Sequence, residues 1–123
     1  MRPGGALAAV AALVLCAACY DPFAPGACTT EAVAGITVDL RRQGGQTLSA
    51  DDADGRAVDE GGEVAELEPF FDQLIGAWER AGTYRVTVDK PGFATWSREG
   101  VEVEAGECHV VPVRLEAFLS PES

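Results

Sequence analysis

The chain has 123 residues, in which 20 acidic side chains face 9 basic ones for a net charge of −11 at pH 7. That length supports one domain with a modest core, and the acidity excludes nucleic acid as a partner because there is too little positive charge to neutralise phosphates. One histidine and four cysteines, with no CxxC spacing between Cys28 and Cys108 and no histidine cluster, give no ligand set for a metal centre.

In chain order, Ala6 to Ala18 is almost wholly Ala, Leu and Val, follows the single positive charge of Arg2, and gives way to the polar Tyr20-Asp21-Pro22. This is the pattern of a secretory signal, too short to span a bilayer as a stable helix. Leu15-Cys16-Ala17-Ala18-Cys19 resembles the bacterial lipoprotein signal, in which the cysteine thiol takes a diacylglyceryl group, cleavage falls before that cysteine, and the new amine is acylated. The resemblance implies that residues 1–18 are removed, that Cys19 is lipidated, and that 19–27 form a short tether. Cys16 stands where Leu is usual, and cysteine is small and apolar enough to serve there. An ordinary signal peptide cut nearby, leaving Cys19 as a thiol, is the alternative. Tyr20 rather than Asp follows Cys19, which by resemblance to sorted lipoproteins implies no inner-membrane retention. In a double-membraned host the outer membrane is then the expected site. Cleavage before Cys19 leaves 105 residues, 8 basic against 20 acidic, a net of −12.

Removal of Cys16 and lipidation of Cys19 leave Cys28 and Cys108 as a single pair, with no odd thiol. An exported chain meets an oxidising compartment, so these two are expected to form a disulfide. Closing so long a loop contributes up to roughly 4 kcal/mol in the chain-entropy description.

The domain proper is expected over 28–118. Ile36, Val38 and Leu40 alternate with Thr37, Asp39 and Arg41, the period-two pattern of a half-buried strand. Asp51 to Glu79 holds ten carboxylates and, among basic residues, only Arg56. It is expected as a solvated, self-repelling surface loop that keeps the domain soluble. Asp52-Ala53-Asp54-Gly55 resembles the middle of an EF-hand loop, but the first and last ligand positions would fall on Ala50 and Gly61, so no calcium site is expected. Val64, Leu67, Phe71, Leu74 and Trp78 recur at helical steps, whereas Pro69 interrupts a helix. Two strands, near 64–67 and 74–79, are the preferred reading, and a short helix over 70–75 is the alternative. Tyr84, Val86 and Val88, then Val101 and Val103, alternate again, separated by the turn signal Lys90-Pro91-Gly92. A last strand over 109–118 sets Val111, Val113 and Leu115 on one face, with Pro112 implying an edge position or a bulge. Residues 119–123 are a tail.

These elements describe a small all-β antiparallel sandwich of about seven strands with one disulfide. Ala34-Gly35-Ile36-Thr37-Val38 after a cysteine, Gly82-Thr83-Tyr84-Arg85-Val86-Thr87-Val88, Lys90-Pro91-Gly92-Phe93 and Gly100-Val101-Glu102-Val103 together resemble the carboxypeptidase regulatory-like domain. That resemblance, over roughly 28–117, implies a transthyretin-like seven-stranded sandwich in which Phe93 folds back over one end. The segment from Asp51 to Glu68 is longer than the family's usual hairpin. Such domains commonly accompany a catalytic or transport domain, so the resemblance implies little about function.

No catalytic device is legible. His109 beside Cys108 lacks a readable nucleophile partner, and carboxylates on a charged segment are not a facing acid–base pair. Trp78 is expected in the core. Trp96, just past a turn, is the one candidate ligand contact, as a flat apolar platform for a sugar or peptide. The sequence therefore points to a non-enzymatic, lipid-anchored envelope module without cofactor or metal, held to the membrane through its N-terminal lipid. Its partner would be an envelope protein or glycan. Carbohydrate or peptide binding is one alternative, and inhibition of an envelope hydrolase through the acidic segment is another.

Overall fold

In the computed structural model, which describes residues 28–122, each alternating run forms a strand. The strands are β1 (Ala34–Arg42), β2 (Asp54–Asp59), β3 (Val64–Phe70), β4 (Gln73–Trp78), β5 (Gly82–Asp89), β6 (Trp96–Ala105), β7 (Val110–Val111) and β8 (Val113–Leu119). Among the described residues there is no helix. The strands hydrogen-bond in the order β7-β6-β5-β2-β3-β4-β1-β8. The β2–β3 hairpin joins two halves that close into a barrel-like sandwich, with β6 approaching β8.

The inward residues of β1, β5 and the end of β6 are those the alternation names. Ile36, Val38 and Leu40 on β1 and Tyr84, Val86 and Val88 on β5 are almost wholly enclosed, and Val101, Val103, Leu115, Ala117 and Leu119 complete the core from β6 and β8. Tyr84 donates its hydroxyl to the carbonyl of Arg80, four residues earlier, at 2.8 Å. Pro91 and Gly92, the latter at φ +86°, occupy the central positions of a turn closed by the Phe93 N–H on the Lys90 carbonyl at 3.0 Å. Phe93 packs against the core, and Arg42 lies over its ring.

Several expectations are corrected. Pro112 does more than mark an edge: it divides the last strand in two. β7 pairs with β6 in one half, while β8 pairs with β1 in the other. A residue without an N–H suits the point where the chain leaves one ladder for the other. The count becomes eight strands, and β1–β8 is a parallel pair in an otherwise antiparallel sheet. The switch also breaks the alternation, so Val110 is buried and Val111 is half exposed.

The two strands preferred for the region from 64 to 79 do form, as a hairpin and not the alternative helix: Glu68 opposes Ile75, Pro69 opposes Leu74, and Phe70 opposes Gln73 across a turn at Phe71-Asp72. The helical spacing was coincidental. The turn lets Leu67 and Leu74 both face inward while Val64 and Phe71 face water. Trp78, expected inside, is 44% exposed. Ala77 adopts φ +54° and is itself buried next to buried Gly76, so the strand rotates out of register and turns Trp78 outward. Finally, the acidic segment is mostly not a loop. Its carboxylates occupy the outer positions and turns of β2, β3 and β4. At the C-terminus, β8 extends to buried Leu119, into the stretch read as a tail, and the Glu122 N–H bonds the Gly92 carbonyl at 2.9 Å.

Candidate functional site

The two ends of β1 define two poles, separated by nine residues of strand, or about 30 Å. At the first pole, Cys28 and Cys108 are joined as expected, with Cα atoms 5.1 Å apart and a sequence separation of 80. The disulfide ties the segment before β1 to the segment before β7. Cys19, the expected lipidation site, lies outside the described residues, as do the signal and the tether.

Beside the disulfide, His109 bridges two side chains. Its Nε2 lies 2.8 Å from Thr29 Oγ1 and its Nδ1 meets the Glu79 carboxylate. Glu79 also accepts the Val33 N–H at 2.9 Å and the Val110 N–H at 3.2 Å, so it clamps the start of β1 to the start of β7. Burial works to raise the Glu79 pKa. The hydrogen bond from His109, the two backbone N–H groups and the His109 charge outweigh it, so the carboxyl sits below its ordinary value. Hydroxyl, imidazole and carboxylate thus stand in the order of a nucleophilic triad. The Val33 and Val110 N–H groups are spent on the carboxylate, leaving neither to stabilise an oxyanion. The arrangement reinforces the disulfide. Sequence reading missed it because Glu79 was one carboxylate among ten and Thr29 carries no pattern.

Trp96 occupies an inward position on β6, opposite Val88, and is half-buried. Arg98 lies over its ring at 5.2 Å from the centroid and occupies a face a sugar would need. Trp96 lines neither the cleft beside Gly100 nor the one beside Phe71. The larger cleft, about 530 Å³, follows a bulge in β6 where Gly100 adopts φ +69°. Asp59, Glu60, Thr83, Arg85 and Glu99 make its walls polar, and an Arg85–Glu99 ion pair at 3.1 Å satisfies its one cation. Among the described residues no cluster of three or more His, Cys, Asp or Glu is arranged to hold a metal.

On the outer surface between the poles, Asp39 is buried although it belongs to the solvent-side set of β1. It accepts hydrogen bonds from Arg114 Nε at 2.6 Å, Arg114 Nη2 at 3.0 Å and Gln73 Nε2 at 2.8 Å. The Arg114 bonds chiefly, with Gln73 and the Arg41 charge, hold its carboxyl below the usual range against the opposing effect of burial. This network locks β8, β1 and β4 together.

The second pole is the β3–β4 turn. Phe70 and Phe71 are 54% and 75% exposed, their rings edge to face at 4.7 Å between centroids. Phe71 adopts φ +58°, a left-handed conformation that strains any residue with a Cβ. The turn is nonetheless pinned, because the Ala50 N–H bonds the Phe71 carbonyl at 2.8 Å and the Leu40 N–H bonds the Asp72 carbonyl at 2.9 Å. A cleft of about 340 Å³ beside it is lined by Thr47, Leu48, Ser49, Asp51, Phe71 and Asp72. This tip is not legible in the sequence, because Phe71 also fits the helical spacing.

The geometry defines a class and no more: a disulfide-stapled all-β module with an exposed aromatic tip. No protein-family model matches the chain, and no curated protein sequence matches it.

Proposed function

We propose that the chain is a non-enzymatic, lipid-anchored module of the cell envelope, of transthyretin-like architecture, that works by binding another protein. The observation that carries this reading is the Cys28–Cys108 disulfide. A bond of this kind belongs to oxidising compartments and agrees with an N-terminal segment of export character. The reading is also supported by polarity. The disulfide is where the chain enters the domain, and the aromatic tip lies at the other end of β1. A lipid on Cys19 with a nine-residue tether, which spans at most about 30 Å, would leave that tip free to face outward. The charge of −11 favours separation from anionic headgroups.

Fractionation of cells tests it. The wild-type chain is expected in the membrane fraction, released by detergent and not by salt. Cys19→Ala is expected to lose that association while retaining the disulfide. A wild-type chain found wholly in the soluble fraction contradicts the anchor.

A further inference from the structure

Resting on the reading of the chain as a protein-binding module, we infer that the Phe70–Phe71 turn is its docking point, and that the occupant is a peptide segment carrying an apolar side chain flanked by lysine or arginine. Three observations converge on the turn. Phe71 is the most exposed large apolar side chain among the described residues, and Phe70 is next to it. Phe71 adopts φ +58°, a left-handed conformation that glycine takes without steric strain. Two backbone hydrogen bonds hold the turn, so the rings are presented without the entropy loss of ordering a mobile loop. The chemistry of the occupant follows from the rim. The adjoining cleft combines Leu48 and the Phe71 ring with the carboxylates of Asp51 and Asp72, and neither carboxylate is in a salt bridge among the described residues. An apolar side chain enters beside Phe71 and its cationic neighbours meet the two aspartates.

The test uses the full chain in detergent and two labelled nonapeptides, one alternating leucine with lysine and one alternating leucine with glutamate. Phe71→Gly is the informative variant, because it removes the ring and relieves the backbone at once. The inference expects the lysine peptide to bind the wild type at least about tenfold more tightly than the glutamate peptide. It also expects at least a tenfold loss for Phe71→Gly and a similar loss between 50 and 500 mM salt. The melting temperature of Phe71→Gly should be no lower than that of the wild type. Equal affinity of wild type and Phe71→Gly overturns the docking point while leaving the interaction module standing at another surface. Equal affinity for the two peptides overturns the basic occupant. Self-association of the wild type that Phe71→Gly abolishes, or binding of anionic vesicles through the same ring, assigns the tip to a second copy or a membrane and overturns the inference.

Discussion

Phe71 and Asp39 carry opposite lessons about single residues. Phe71 holds a left-handed backbone for a ring that is 75% exposed, so its side chain returns little folding energy for the strain. Replacing it with glycine is expected to raise stability by up to about 1 kcal/mol, measured by chemical denaturation. A loss of stability would mean that the contact with Phe70 outweighs the strain. Asp39 is the reverse case, a buried carboxylate whose three hydrogen bonds tie three strands together. Asp39→Asn is expected to cost on the order of 2 kcal/mol at pH 7, the scale of hydrogen bonds to a charged group. Its pKa is lowered in the folded chain, so the unfolded state binds its proton first. The stabilisation is complete above the unfolded value near 3.8 and disappears as pH falls through the lower folded value. Denaturation curves between pH 2 and 5 should therefore converge for wild type and Asp39→Asn, and a gap that persists undiminished at pH 2 would contradict the assignment.

At the scale of elements, the sequence was most legible where both faces of a strand differ. β1, β5 and the end of β6 alternate cleanly, and their inward residues are the ones named from the pattern. It was least legible where the backbone shifts register. Ala77 at φ +54° turns Trp78 out, Pro112 transfers the chain between ladders and exposes Val111, and the Gly100 bulge offsets β6 from β5. None of these leaves a mark on hydrophobic period. The β3–β4 hairpin was obscured because small residues, Ala65 and Gly76, stand where alternation would have shown large ones. Gly76 is there for room: a Cβ would lie 2.7 Å from the Glu66 carbonyl and 2.7 Å from a Leu67 methyl. Gly76→Ala is expected to destabilise by about 1–3 kcal/mol as an overpacked core position, checked by its denaturation midpoint. The site was less legible than the fold. The disulfide followed from cysteine parity, whereas the Thr29–His109–Glu79 clamp and the aromatic tip depend on juxtapositions that only the strand pairing creates.

For the whole molecule, the disulfide is the long-range constraint. It spans 80 residues and closes the pole where β1 begins and β7 starts. Glu79 and His109 hold the same junction by hydrogen bonds, so loss of the covalent link leaves a defined but weaker closure. Cys28→Ser with Cys108→Ser is expected to lower stability by about 3–4 kcal/mol and the melting temperature by at least about 15 °C, with the β-sheet circular dichroism signal retained below the new midpoint. A double variant as stable as the wild type would show that the hydrogen-bonded clamp alone closes the pole. The proposed mooring of the stapled domain by its own N-terminus is put to the test by the intact mass of the protein extracted from membranes, before and after reduction and alkylation. Expected are a chain beginning at Cys19 with three acyl chains, and two alkylation events that occur only after reduction, on Cys28 and Cys108. An unmodified Cys19, or alkylation of Cys28 and Cys108 without reduction, would contradict it.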